Sequence, residues 1–159
     1  MPHSASTDQT SENTDHAARR LARLAAVQAL YQIALTQESS DILIRRFHAD
    51  PAVFLEEDAA VINVDKDMFG IIVAGVCSHL EDLDLMISAT VDAHVSSDRM
   101  EPLLKAILRA GVFELQHRTD IQTGIIINDY VDVAHGFFDA KEPGLVNAVL
   151  DRLAKKLRS

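Results

Sequence analysis

Cysteine and tryptophan are nearly missing from this chain of 159 residues, which contains one Cys, at position 77, and no Trp. A single cysteine cannot form an internal disulfide and gives no Cys-based ligand set for a metal, so a reducing, cytoplasmic location is the simpler prediction. Only 5% of the residues are aromatic, whereas hydrophobic residues make up 48%, with Ala, Leu, Ile and Val dominant. This composition favours packed helices over a sheet sandwich.

Long apolar runs are also missing from the chain. No segment approaches the ~20 consecutive apolar residues that a membrane span requires. The first sixteen residues contain no Lys or Arg and no apolar run, so they lack both parts of a secretory signal. We interpret residues 1–16 as a disordered acidic and polar tail. Residues 17–159 suffice for one hydrophobic core, and we expect them to form a single helical domain.

Charge is distributed unevenly along the chain. The formal net charge of −9 argues by itself against a nucleic-acid partner, because phosphate binding needs positive potential at the contact surface. Residues 17–36 nevertheless carry three Arg and no acid, and residues 152–159 carry four bases and no acid. Residues 50–67 and 81–101 are acidic, with one base each. We therefore expect an acidic body with two basic ends, although the second end suits the helix dipole equally well.

Apolar residues recur at three- and four-residue steps along most of the chain, without the alternation and Asn-Gly turns of strands. We therefore predict an all-α fold, a compact irregular bundle of about seven helices. The predicted helices cover residues 17–36, 41–48, 68–79, 80–90, 103–117, 125–138 and 145–157. Asp65 is the expected N-cap of the third, which could continue into the fourth as one long or kinked helix.

The first and fifth predicted helices carry the clearest apolar stripes. The first should be a long amphipathic helix, and its stripe consists of Leu21, Leu24, Val27 or Gln28, Tyr31 and Leu35. The stripe of the fifth consists of Leu104, Ile107, Leu108, Val112 and Leu115. We predict that this second stripe belongs to the core.

Patterns typical of catalysis or metal binding are weak. Gly70 and Gly75 have the outer spacing of a phosphate loop, but Val76 and Cys77 stand where Lys and Ser or Thr would be required, so close helix packing explains these glycines better. The seven His never form the H-x-x-x-H pair that places two ligands on one helix face, and no G-x-S-x-G elbow occurs. We predict that the protein is not an enzyme and has no cofactor and no metal site.

The pattern that suggests nucleic-acid binding lies on the first helix. With ~100° per residue, Tyr31 lies about 20° from Arg20 in azimuth, and Arg23 lies about 60° to the other side. Arginine forks suit phosphates and base edges, and a tyrosine ring can stack on an unpaired base. We predict that this face binds single-stranded RNA. A solvated arginine face with Tyr31 at the edge of the core is the alternative.

Three sequence blocks follow one another over about residues 17 to 158. The first is R-R-L-A-R at 19–23 with A-V-Q-A-L-Y at 26–31, the second is I-L-R-A-G-V-F-E-L at 107–115, and the third is I-N-D-Y-V at 127–131 with V-N-A-V-L-D at 146–151. Together these blocks resemble the NusB family. The resemblance implies an all-helical protein that binds the boxA element of ribosomal RNA transcripts together with NusE, a ribosomal protein. It also implies membership of an antitermination complex on RNA polymerase, with binding rather than catalysis as the activity.

The resemblance also implies a set of RNA-binding residues. The arginine-rich start and the tyrosine that ends its motif correspond to Arg19, Arg20, Arg23, Gln28 and Tyr31. A second RNA-contacting region corresponds to the loop before the last helix, from Lys141 to Leu145. Familiar members carry an aromatic residue where this chain has Leu145 and a glycine where it has Ala148, so a stacking contact is lost at this end. We therefore expect RNA binding to depend heavily on the protein partner, which the acidic surface would engage.

Two other interpretations remain open. A NusB-like domain also occurs in front of ribosomal RNA cytosine methyltransferases, but this chain ends at Ser159 with no cofactor-binding domain, which lowers that expectation. The second is a helical protein-interaction module that uses only its acidic body, in which case the arginines are incidental. Neither the oligomeric state nor the surface that meets NusE follows from the sequence, and a homodimer is conceivable when the protein is alone.

Overall fold

The structure is a computed structural model that describes residues 2–56, 63–91 and 100–158, with side chains from residue 12 onward. This part of the chain forms seven α-helices and one short 3-10 helix, which confirms the predicted all-α fold. The α-helices are α1 (Pro2–Thr36), α2 (Ser40–Ala49), α3 (Lys66–Ser78), α4 (Leu80–Thr90), α5 (Pro102–His117), α6 (Thr123–Phe137) and α7 (Lys141–Leu157). The 3-10 helix, Pro51–Val53, follows α2. No described helix is both long and apolar enough to cross a membrane.

The helix α5 lies at the centre of the fold and contacts α1, α3, α4, α6 and α7. Its predicted core stripe is confirmed, since all five side chains from Leu104 to Leu115 in that stripe are buried. Small residues on α5 allow close neighbours: a Cβ added at Gly111 would lie 2.8 Å from a methyl carbon of Leu150 on α7. Native interiors pack at crystal-like density, so this close contact helps to fix the position of α7.

A face of small side chains on α1 packs against α3 and α5. Its buried residues are Ala22, Arg23, Ala25, Ala26, Val27, Ala29 and Leu30. Of the apolar stripe predicted from the sequence, Val27 lies in this face, whereas the other members lie beside it: Leu21, Leu24 and Tyr31 are only partly buried, and Leu35 is exposed. Alanines bring the helix axes close together, which leaves the larger leucines at the margin of the interface.

The observed start of α1 differs from the predicted tail. The helix begins at Pro2, so residues 2–16, expected to be disordered, continue the same helix in the structure, and Met1 lies outside the described residues. Proline is tolerated in a first turn because its missing N–H would have no partner there, and no Gly or Pro follows before the end of α1 at Thr36.

Two predictions about α3 and α4 can be compared with the structure. Asp65 is the N-cap of α3, as predicted, and its carboxylate accepts a hydrogen bond from the backbone N–H of Met68 at 2.9 Å. The helix ends at Ser78, and His79 separates it from α4, so the two are distinct helices. Close helix packing explains Gly75, since a Cβ there would lie 2.1 Å from the ring of Phe113 on α5.

The start of α7 corrects a prediction that bears on function. The residues from Lys141 to Leu145, expected to be a loop, form the first turn of α7. Pro143 is compatible with this position because N–H groups in the first turn of a helix have no intrahelical acceptor.

Candidate nucleic-acid interface

An open groove of about 900 Å³ lies between α1, the chain segment around the 3-10 helix, and α6. Its walls include Arg20, Leu21, Leu24 and Gln28 on α1, Val53 and Phe54 at the end of the 3-10 helix, and Asp129, Asp132, Val133 and Phe137 on α6. The groove combines apolar side chains with one cation and three carboxylates, of which Glu56 follows the 3-10 helix. Two predicted RNA-binding residues, Arg20 and Gln28, therefore line the same surface.

Arg20 stands at the edge of this groove with 51% of its side chain exposed. Its Nη2 donates a hydrogen bond to Oδ2 of Asp132 at 3.2 Å, and its Nε lies 3.8 Å from Oδ1 of Asp129. Asp132 is similarly exposed, so water screens the pair, and such surface pairs contribute only about 0–1 kcal/mol. An RNA phosphate can therefore replace Asp132 as the partner of Arg20 at little cost.

Arg19 is exposed on a different side of α1. The hydrogen bond from Arg118 lowers the pKa of Asp120, and the charge of Arg19 adds to this effect. Arg19 therefore lies toward the turn between α5 and α6, whereas Arg20 lies toward Asp132. The two neighbouring arginines therefore lie on two different sides of α1.

The prediction that Arg23 contacts RNA is wrong for this structure, because its side chain is completely buried. Its Nε and Nη2 donate to the two carboxylate oxygens of Glu114 on α5, at 2.8 and 2.9 Å. Its Nη1 donates to Oδ2 of Asp129 on α6 at 2.6 Å. Arg20 and Arg23 differ by about 60° around the axis of α1. This difference is enough to leave Arg20 exposed to solvent and to place Arg23 in the interface of α1 with α5 and α6.

Tyr130 completes this buried group, which we call the Arg23 cluster: Arg23, Glu114, Asp129 and Tyr130. The hydroxyl of Tyr130 donates a hydrogen bond to Oε2 of Glu114. Burial, and then the charge of Glu114, raise the pKa of Tyr130 well above its ordinary value, so the hydroxyl remains a donor. Burial alone would lower the pKa of Arg23, but Glu114 and Asp129 raise it above its ordinary value. The guanidinium of Arg23 therefore stays charged, and hydrogen bonds join the four side chains inside the fold.

The remaining predicted RNA-binding residues occupy two places. Tyr31 is half-buried against the core one turn beyond Gln28 and does not line the groove, as in the alternative interpretation of a tyrosine at the core edge. At the start of α7, Lys141 is exposed, whereas Leu145 is partly buried against the core. The structure thus brings Arg20 and Gln28 together on one groove and places Lys141 beyond the far end of α6.

The basic C-terminal stretch has a structural role at Arg158. Its guanidinium donates to the backbone carbonyls of Glu114, Leu115, Arg118 and Ile121 and to the hydroxyl of Thr123, with distances from 2.6 to 3.3 Å. These acceptors belong to the end of α5 and the turn into α6. Arg158 therefore holds the end of α7 against this turn through hydrogen bonds. In this arrangement its guanidinium is not available to contact RNA.

Sequence reasoning missed the two carboxylates that hold Arg23. One signal was present, because Glu114 interrupts the apolar run of α5, and a fully buried carboxylate requires a charged or hydrogen-bonding partner. Asp129 follows Ile126 and Ile127, which are also buried, and gives the same signal. Neither position indicates its partner in the sequence, since Glu114 and Arg23 are 91 residues apart.

Comparison with known protein families gives a match over most of the chain. A model described as the NusB family matches residues 20–155. The transcription antitermination protein NusB of Sphingopyxis alaskensis is 40% identical over 140 residues, which cover 88% of this chain and 94% of that protein. The protein of the same name from Rhizobium etli is 41% identical over 141 residues, covering 89% of this chain and 88% of that protein.

Solved structures resemble the fold over a similar length. The T. maritima NusB structure matches with a TM-score of 0.71 and 25% identity, covering 89% of this chain and 93% of that one. A structure of the antitermination factors NusB and NusE in complex with double-stranded RNA matches with a TM-score of 0.68 and 25% identity. That match covers 91% of this chain and 98% of the other.

Replacing Arg23 with methionine tests the structural role of the Arg23 cluster. The variant Arg23→Met leaves Glu114 and Asp129 buried without their cation, and breaking a buried pair in this way lowers the free energy of unfolding by about 3–5 kcal/mol. Urea denaturation measures the loss. The matched control is Arg19→Met, an exposed arginine on the same helix, which should change stability by no more than about 0.5 kcal/mol. Equal stability of the two variants would contradict the burial of Arg23.

Proposed function

This chain belongs to the NusB family, and on that premise we propose that it is a transcription antitermination factor that binds boxA RNA of ribosomal RNA operons together with NusE. In this role it supports processive transcription by RNA polymerase in the cytoplasm, and its activity is binding without catalysis. One observation of the structure carries the proposal for this chain. Arg20 and Gln28, which belong to the family's RNA-contacting motif, line one open groove, while Arg23 of the same motif holds their helix in place.

The exposed arginines supply the electrostatic part of RNA binding. Arg19 and Arg20 lie on adjacent sides of α1, and both are exposed, although Arg20 also lies 3.8 Å from the nearly buried Asp129. Phosphate contacts provide most of the affinity of such an interface and make it dependent on salt. Although the whole chain carries a net charge of −9 and Arg23 is neutralised inside the fold, Arg19 and Arg20 supply exposed positive charge that RNA phosphates can contact.

A second contact region is proposed at the start of α7. Lys141 is exposed in the first turn, where free backbone N–H groups point outward and the helix dipole favours an anion. Leu145 lies in the same turn but is partly buried, and it offers no ring for stacking. We therefore propose that this region contacts a phosphate through Lys141. Its contribution to the affinity for RNA should be smaller than that of α1.

NusE is proposed to bind the acidic face of α4. Glu81 and Asp82 are exposed there, and Leu85, with 65% of its surface exposed, is the most exposed large hydrophobic residue of the described chain. Asp84 of the same helix is already used by Arg109, which donates two hydrogen bonds to it at 2.8 Å. Two further acids of this stretch, Asp92 and Asp98, lie outside the described residues. An apolar side chain beside unpaired acids suits a basic protein partner.

The RNA proposal is tested by Arg20→Ala and Arg19→Ala, with the salt dependence of binding as the readout. Each variant should bind single-stranded boxA RNA more weakly, and each lost phosphate contact should reduce the slope of log K against log salt by about 0.7. Fluorescence anisotropy titrations in the presence of NusE give both quantities. Arg45→Ala removes another exposed arginine, on α2, and should leave affinity and slope unchanged. An unchanged slope in both α1 variants would reject this RNA surface.

The NusE surface is tested by the double variant Glu81→Lys with Asp82→Lys. Reversing these charges should weaken NusE binding at low salt, and the difference from the wild type should shrink as salt screens the surface charges. Calorimetric titration with NusE at two salt concentrations measures it. Asp151→Lys, an exposed reversal on α7, serves as the control. Unaltered NusE affinity in the double variant would exclude this face of α4.

A further inference from the structure

Phe137, the last residue of α6, has an unusual position for a large apolar ring, with 42% of its surface exposed. It lines the groove that contains Arg20 and Gln28. It also lines a second hollow, of about 420 Å³, which extends to Glu142, the neighbour of Lys141. The ring thus lies between the two regions to which the proposed function assigns RNA contacts.

The groove beside Phe137 is apolar at its base. Leu21 and Leu24 line it from α1 and Val133 lines it from α6, while Val53 adds an exposed side chain on the opposite wall. Such a contiguous apolar surface at the edge of a fold marks a binding site more often than a lone exposed residue does. Its continuity with Arg20 of α1 supports the same RNA strand as its occupant.

The polar groups of the groove are arranged unfavourably for a phosphate and favourably for a base. Asp132 is 54% exposed at the rim, and the nearly buried Asp129 lies behind it, so two carboxylates repel a phosphate inside the groove. Carboxylates instead accept hydrogen bonds from the amino groups of bases. When Arg20 turns outward to a phosphate, Asp132 loses its cation and can accept such a hydrogen bond. Arg20 then pairs with a phosphate, and Asp132 pairs with the amino group of a base.

We propose that the groove is a base-binding site, in which one unpaired base of the bound RNA stacks on Phe137 and donates a hydrogen bond from its amino group to Asp132. The proposal rests on the proposed function, since the strand must first be held by Arg19 and Arg20. Adenine, cytosine and guanine carry an amino group, whereas uracil presents carbonyl oxygens in its place. The site therefore discriminates against uracil at one position of the strand.

The variant Phe137→Ala tests the stacking contact. In the presence of NusE, its affinity for single-stranded boxA RNA should fall at least about fivefold, because stacking of one base on an aromatic side chain has this order of effect. The slope of log K against log salt should stay at the wild-type value, since no phosphate contact is lost. Phe137→Leu keeps the apolar bulk without the ring and should show most of the same loss, even if the alanine variant folds poorly. Ile42→Ala is the control, a similarly exposed apolar residue on α2.

The hydrogen bond is tested by base replacement. The bases of the strand are changed to uracil one at a time. At one position this change should weaken binding to the wild-type protein. At the same position it should cause little further loss in Phe137→Leu, whose affinity is already reduced. Asp132→Asn should reduce the discrimination at that position, because an amide can donate to the carbonyl oxygens of uracil.

The outcomes separate this proposal from the proposed function. Binding that depends on Arg20 but is the same for Phe137→Leu and the wild type overturns the base site alone. Equal weakening by Phe137→Leu of single-stranded and fully paired RNA also overturns it, because a paired base cannot enter the groove. If Phe137→Leu binds NusE more weakly than the wild type does when no RNA is present, the groove belongs to the protein partner and the base site is overturned. Absence of any Arg19- or Arg20-dependent RNA binding would reject the proposed function itself.

Discussion

The buried ion pair of Arg23 with Glu114 and Asp129 is the interaction on which the functional surface depends. It joins α1 to α5 and to α6 through three hydrogen bonds of 2.6 to 2.9 Å from one guanidinium. Two carboxylates and one cation in the interior are costly unless each has a partner of opposite charge, and Tyr130 and Arg20 supply the remaining polar contacts. A bidentate arginine fixes both the register and the rotation of α1. The rotation decides which side chains reach solvent.

This arrangement divides the arginines of α1 between two tasks. Arg23 positions the helix, whereas Arg19 and Arg20 remain exposed and are the residues that we propose to contact phosphates. Asp129 links the tasks, because it accepts a hydrogen bond from Arg23 and lies 3.8 Å from Arg20 and 3.6 Å from His16. A phosphate that draws Arg20 away leaves Asp129 with Arg23 as its strong partner, so the cluster can hold α1 in place while the exposed pair is exchanged.

Much of the fold could be predicted from the sequence, because local rules decide it. Helical periodicity gave the number of helices, Asp65 gave the start of α3, and the apolar stripe of α5 gave the central core helix. The resemblance to a family identified the motif on α1. The role of Arg23 within that motif could not be predicted in the same way, since a helical azimuth does not show which carboxylates of other helices lie opposite.

The groove could not be predicted for a related reason. The leucines at positions 21 and 24 have the spacing of core residues, and only the close approach of the alanine face of α1 to α3 and α5 leaves them at the margin. Phe137 likewise has the hydrophobicity of a core residue, and its exposure follows from its place at the end of α6. Small side chains therefore shape the binding surface as much as the charged ones do, through the packing that they allow.

Side-chain NMR of the arginine Nε–H groups, during titration with boxA RNA and NusE, distinguishes the two roles of the neighbouring arginines on α1. We expect the Nε–H of Arg23 to exchange slowly with water and to keep its chemical shift, because it donates to Glu114 inside the fold. We expect the signal of Arg20 to shift with RNA concentration. A fast-exchanging Arg23 signal that shifts with RNA, beside an unchanged Arg20 signal, would contradict this division of roles.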